Sequence, residues 1–191
     1  MGTWNSRGLR GSTLEDLINV TNEKYREKGI GLIQKIPTPI KPVAMDKESR
    51  HITLAYFEQR STVDYIGVVQ GVPVCFDAKE CNTETFPIHN IHKHQVEFMK
   101  EFEKQNGVAF LIIYYTGINE IYYLPFDKVL EFYERSENGG RKSFRFEEID
   151  KAYRIRTNGG VPVHYLEALS RDLSNSCLLY TSPSPRDRTR S

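Results

Sequence analysis

What this 191-residue chain lacks narrows its chemistry before any motif is read. No apolar run approaches the roughly 20 residues that a membrane-spanning helix needs. The longest, 108–115, has the length of a strand and is followed by a turn signal at Gly117. Cysteine is scarce, with Cys75, Cys81 and Cys177 at irregular intervals. An odd, unpatterned set argues against a disulfide framework and leads us to expect a reducing, cytoplasmic setting. Net charge is also lacking: 26 Lys and Arg face 25 Asp and Glu, for a formal +1. Four arginines and two aspartates between 171 and 191 leave the remainder slightly acidic. Global charge therefore does not mark a nucleic-acid binder, and any grip on DNA phosphates has to come from local basic patches.

What is present suits one domain with a proper core, since 39% of residues are apolar. Residues 1–12 are polar, rich in glycine and carry Arg7 and Arg10, which predicts a mobile basic arm. Thr13 reads as an N-cap, followed by a helical stripe to Lys28 that Gly29 stops. A strand is expected over 30–36. Prolines at 37, 39 and 42 then open an extended, projecting arm over 37–60 that carries Lys41, Lys47, Arg50 and Arg60. An ordinary solvated hairpin fits that composition equally well. A hairpin is expected over 62–79, closed at Gln70–Gly71. A largely helical stretch should span 87–106, with strands over 108–115 and 120–124 and a helix from 126 to 135. Residues 138–142 form a basic turn that includes Arg141 and Lys142. The domain so delimited is 13–170. From 171 onward no periodicity is expected; from about 176 the chain is Ser-, Pro- and Arg-rich and looks like translated sequencing adapter, so a disordered tail is expected.

The stretch 61–80 carries the most chemistry. In an extended strand Asp77 and Lys79 share a face, and Asp64 lies in the first strand of the same expected hairpin. Phosphodiester hydrolysis needs an attacking water, neutralised phosphoryl oxygens and help for the leaving oxygen. Two carboxylates suit Mg²⁺, which prefers oxygen ligands, and a neighbouring lysine can orient the water and stabilise negative charge. As a bare pattern, D-x(12)-D-x-K also fits a surface hairpin with a weak Lys–Asp pair. His89, His92 and His94 invite a zinc reading, but His94 lies well round a helix from His92 and no cysteine has matching spacing. Cys75 has no acid–base partner at a telling spacing and is expected to be a buried structural thiol.

Several separate blocks resemble the RecU family of bacterial Holliday junction resolvases: SRG and TLED near the start, KIPTPI, AYFEQRSTVDYIG, VCFDAKE, FPIHNIHKHQVEFM and NGGRKSFR. They run in the family's order from about Ser6 to about Leu169. The resemblance implies a restriction-endonuclease-like α/β fold with a mixed central sheet flanked by helices, and a stalk over 37–60. It implies a metal site of Thr62, Asp64, Asp77 and Gln95, with Asp64, Asp77 and Lys79 as the catalytic set and Glu15 in support. The family's second acid is glutamate in well-known members, where this chain has Asp77.

The function implied is a Mg²⁺-dependent endonuclease, with Mn²⁺ able to substitute, that resolves four-way DNA junctions in recombination and repair and leaves 5′-phosphates. A symmetric homodimer would match the two-fold junction. Arg7, Arg10, Lys41, Lys47, Arg50, Arg60, Arg141 and Lys142 would hold phosphates, and recombinase and branch-migration proteins are the candidate partners at the nucleoid. Two alternatives stand beside it: a restriction-like nuclease of ordinary duplex, and a non-catalytic junction-binding, recombinase-modulating protein.

Overall fold

The computed structural model describes residues 13–46, 49, 51–57 and 62–180. Helix α1 (Thr13–Glu27) buries Leu14, Ile18 and Tyr25 on one stripe. Glu15 and Asp16 occupy its first turn, where the helix dipole favours negative charge. Strand β1 (Gly31–Lys35) follows. Strands β2 (Ile40–Met45) and β3 (Ile52–Phe57) pair antiparallel with each other as a separate two-stranded arm. The arm returns to β4 (Tyr65–Val69) and β5 (Val72–Cys81). Their connection is a two-residue turn with Gln70 and Gly71 both at positive φ, 47° and 87°, a backbone that suits the twist of a tight hairpin.

Strand β6 (Thr85–Pro87) and a 3-10 turn at Ile88–Asn90 lead into α2 (Lys93–Lys104). Then come β7 (Val108–Tyr115), β8 (Glu120–Pro125) and α3 (Phe126–Glu137). Strands β9 (Ser143–Arg145) and β10 (Arg154–Ile155) precede the last helix, α4 (Leu166–Tyr180).

The main sheet has the order β1-β4-β5-β7-β8-β10. Only β5 and β7 run parallel, joined by the crossover that contains α2; the other neighbours are antiparallel. This is a mixed α/β sheet covered on both faces, as expected. Leu14 and Ile18 of α1 and Ala168 and Leu169 of α4 fill one face; Val96 and Met99 of α2 and Val129 and Phe132 of α3 fill the other. Gly67 lets β1 close on β4, because a Cβ there would lie 2.2 Å from the Leu32 carbonyl oxygen.

Three expectations need correction. Helix does not extend over 87–92: β6 pairs with β9 there, and α2 begins only at Lys93. Strand β9 lies more than 50 residues on, so its claim on 85–87 left no local periodicity to read. The chain is not irregular from 171, since α4 runs to Tyr180. Asp172 of α4 accepts the Tyr123 hydroxyl proton at 2.6 Å, and Asn175 donates to the Tyr153 hydroxyl at 3.1 Å. Those contacts reach back to β8 and the segment before β10, so tertiary partners support a helix that local composition did not announce. The third concerns the element order, which gains α4, β6, β9 and β10 over the sequence reading. Residues 1–12 and 181–191, the expected basic arm and the end of the expected tail, lie outside the described residues.

Candidate active site

The site is built by the alternation of β5. Val74, Phe76 and Ala78 enter the core beneath α1 and α4, whereas Cys75 and Cys81 enter the one beneath α2 and α3. Asp77 and Lys79 point the same way as the two cysteines. Asp77 is fully buried. Its Oδ1 accepts the backbone N–H of Asp64 at 3.1 Å. Its Oδ2 accepts from Gln95 Nε2 at 3.0 Å and pairs with Lys79 Nζ at 2.5 Å. Asp64 answers from the start of β4, its Oδ2 accepting the N–H of Ala78 at 2.9 Å. The two aspartates thus clasp each other's strands.

Burial pushes the Asp64 carboxyl up to about 7, and the neighbouring charge of Asp77 adds to the rise. Two poorly solvated carboxylates this close resist ionising together. That is the electrostatic condition a divalent cation relieves, so the donor set fits one. Both acids offer hard oxygen ligands, as Mg²⁺ requires. Thr62, exposed, stands two residues before Asp64 with the fully buried Val63 between them. Ile36 donates its N–H to the Asp64 carbonyl at 2.7 Å, so the outgoing root of the arm is tied to the same acid that its returning leg reaches.

Gln95 is brought in by α2, as the sequence implied, and meets Asp77 through its nitrogen. Glu15 stands in the first turn of α1. Its carboxylate pairs with Lys35 at 2.5 Å, and its carbonyl accepts the Tyr65 hydroxyl at 3.2 Å, so it braces α1 against β1 and β4. Two contributions went unread in the sequence. Glu80, next to Lys79, accepts the Leu14 N–H at 2.7 Å and caps the first turn of α1. His92 donates its N–H to Gln95 Oε1 at 3.1 Å. An acid after the lysine is the only trace of the first, and its partner lies 66 residues away. The second is a backbone group and leaves no signature in residue type.

The three histidines occupy different settings. His89 lies in the 3-10 turn, His92 caps α2, and His94 stands in its first turn, with the His92 and His94 rings stacked at 5.5 Å. Among the described residues no group of three or more His, Cys, Asp or Glu side chains is placed to hold a metal. Asp64 and Asp77 are the two carboxylates that meet at the candidate centre. Cys75 is buried, and burial raises its thiol well above the ordinary value, which disfavours a thiolate nucleophile. Of the basic residues expected to meet DNA, Lys41 is exposed on β2, and Arg141 and Lys142 are exposed between α3 and β9. Arg141 stands 3.6 Å from Glu148. Arg7, Arg10, Lys47, Arg50 and Arg60 lie outside the described residues.

Comparison with known proteins bears on what this arrangement serves. The chain is 43% identical over 148 residues to the Holliday junction resolvase RecU of Geobacillus sp. strain WCH70, covering 75% of this chain and 74% of that protein. It is 40% identical over 180 residues to the RecU of Bacillus licheniformis, covering 92% and 86%. With the RecU of Bacillus subtilis it shares 38% identity over 180 residues, covering 92% and 83%. A weaker structural likeness links it to Hjc, a Holliday junction resolvase from Archaeoglobus fulgidus, at a TM-score of 0.38 and 9% identity over 61% of this chain and 78% of Hjc. The family model for Recombination protein U matches residues 9–171, and with relatives of this similarity along most of its length the chain belongs to the RecU family.

Proposed function

We propose that this protein is a Holliday junction resolvase, a metal-dependent endonuclease that cuts four-way DNA junctions during recombination and repair. The observation that carries the reading is the convergence of Asp64, Asp77 and Lys79 at one buried point of the sheet, in a chain of the RecU family. Asp64 and Asp77, with Thr62 beside them, would hold Mg²⁺ or Mn²⁺. The bound cation would neutralise charge on the phosphoryl oxygens and lower the pKa of a coordinated water. Lys79, whose side chain keeps 19% of its surface exposed, is the group able to reach a scissile phosphate while still paired to Asp77. It would orient the attacking water and stabilise the negative charge that grows on phosphorus. Water adds in line, the bond to the 3′ oxygen breaks, and the products are a 5′-phosphate and a 3′-hydroxyl.

A homodimer would present two such sites to opposing strands of the junction. The β2–β3 arm is long enough to project from the body, and its exposed Lys41 would join Lys47, Arg50 and Arg60 in meeting phosphates near the junction centre. Arg7, Arg10, Arg141 and Lys142 would hold the outer duplex arms, so binding should weaken steeply with salt. The protein would act at the nucleoid, alongside recombinase and branch-migration proteins.

The test is cleavage of a synthetic four-way junction against a matched linear duplex, with Mg²⁺, with Mn²⁺ and with chelator. Junction-selective, metal-dependent cutting that Lys79→Ala abolishes without loss of junction binding is the expected result. Equal cutting of the duplex would favour a restriction-like nuclease. Binding without cutting by the wild-type protein in either metal would leave a non-catalytic junction binder.

A further inference from the structure

A small polar pocket opens where β5 ends, directly after Lys79. Glu80, Asn82, Thr83, Pro87, Asn90 and Thr116 line it, and it holds about 280 Å³. That is just under the roughly 300 Å³ at which small-molecule sites begin, so it suits the edge of a larger molecule. Hydrogen bonds within the loop fix its floor. The Cys81 thiol faces the carbonyl oxygens of Thr83 and Thr85 at 3.2 and 3.4 Å, and the Thr83 hydroxyl donates to the Thr85 carbonyl at 2.9 Å. The backbone N–H and the hydroxyl of Thr116 both donate to the Cys81 carbonyl, at 2.8 and 3.3 Å. Two groups are left over. Asn82 is exposed and Asn90 half-buried, and among the described residues neither side-chain amide makes a hydrogen bond. Each amide offers both a donor and an acceptor.

We propose that Asn82 and Asn90 read the edge of a nucleobase close to the scissile phosphate, and so help to choose which junction sequences are cut. The inference rests on the nuclease reading above and adds a specificity-determining pair to it. Position supports it first. The strand rise carries the chain about 7 Å from Lys79 to Cys81. Successive nucleotides of one strand stand about 3.4 Å apart along a duplex axis. With a phosphate at Lys79, the pocket therefore lies about two nucleotide steps away. Charge then decides which part of the DNA enters. Among the described residues that line the pocket none is Lys or Arg, and the one charged group, Glu80, is an acid. A phosphate is repelled there, whereas a base edge presents neutral donors and acceptors. Asparagine amides recognise such edges by paired donor and acceptor contacts, and an acid accepts from a base amino group. Because the loop is already tied to Thr116, the amides are held in place before DNA arrives.

The test is a panel of synthetic four-way junctions that differ only in the base pairs flanking the crossover, cut in Mg²⁺ by wild type, Asn82→Ala and Asn90→Ala. Wild type should cut some sequences faster than others. Each variant should shrink that ratio by about 5-fold or more at one position, the discrimination carried by a single good amide–base contact. The loss should fall on the favoured sequence, while the disfavoured ones are cut as before. A purely structural role would instead slow every sequence alike. A ratio that Asn82→Ala leaves unchanged, an equal slowing of all sequences, or equal cutting of all sequences by wild type would each overturn the proposal. Should Asn90→Ala fail to fold, Asn82→Ala, at an exposed position, decides alone. If wild type cuts no junction in Mg²⁺ or Mn²⁺, the nuclease reading fails and the proposal falls with it. Cutting with an unaltered preference overturns the proposal and leaves that reading standing.

Discussion

Two faces of one strand divide the labour of this protein. On the side of β5 that meets α1 and α4, Phe76 stacks between Tyr65 and Phe110 at 4.8 and 4.7 Å, and Phe110 in turn stacks on Tyr123 at 4.3 Å. These rings cross β4, β5, β7 and β8 in a row, because the strand register sets Tyr65 against Phe76 and Phe76 against Phe110. On the opposite side, one residue along, Asp77 sits with Lys79 and Gln95. The aromatic face gains from burial and dispersion. The polar face carries a desolvated carboxylate that costs free energy unless fully partnered. The lesson is that a buried charge can be placed in a sheet when the same strand is anchored by large rings from its other side.

The largest effect should come from the aromatic face. Phe76→Ala should lower unfolding stability by about 3–5 kcal/mol, read by denaturant titration of the metal-free protein. A loss under about 1 kcal/mol would mean that the ring row does not anchor β5. On the polar face the effect should appear in rate: Lys79→Ala should slow junction cleavage by about 10²–10³-fold, while junction binding persists. Loss of binding in parallel with cutting would place Lys79 in the DNA grip and not in the chemistry.

A smaller effect concerns an acid behind the aromatic row. Burial raises the Asp172 carboxyl above its ordinary value, only partly offset by the Tyr123 hydroxyl that donates to it. Its folded-state pKa exceeds the unfolded one, so the protonated acid favours the folded state. That contribution is present at low pH and is lost as pH rises through the folded pKa. Melting of Asp172→Asn should fall less than that of wild type as pH is raised from 4 toward neutrality; parallel curves would show that Asp172 titrates alike in both states. The smallest effect returns to the side of the sheet that holds the site. The Tyr115 hydroxyl is buried and, among the described residues, has no hydrogen-bond partner. Tyr115→Phe should therefore be neutral or stabilising by up to about 1 kcal/mol, and clear destabilisation would reveal a partner for that hydroxyl.

Much of this arrangement was readable in the residues. The alternation Phe76, Asp77, Ala78, Lys79 tells which side chains share a face, because the strand period is 2. Gln70–Gly71 announces its turn, because both positions need positive φ. The arm could be outlined from Pro37, Pro39 and its polar tip. The segment over 85–92 could not be read, because β6 is defined by pairing with β9 and not by its own pattern. Residues 171–180 misled for a related reason: their polar composition hides the bonds of Asp172 and Asn175 to tyrosines on distant segments. The pairing of Glu15 with Lys35 could not be read either, because it joins α1 to the adjoining strand.

The sequence by itself determined the chemical types in the site and their side of β5, since alternation along an extended strand is a local property of the backbone. It also determined family membership, which several ordered blocks carry together. Only the tertiary structure decided how those groups face one another. The reciprocal clasp of Asp64 and Asp77 depends on the register of β4 against β5. The approach of Gln95 depends on the crossover that lays α2 over the sheet, and the direction of its amide on the backbone N–H of His92. Hydrogen bonds between residues far apart in the chain are set by packing, and no local pattern encodes which end of an amide a distant carboxylate will meet.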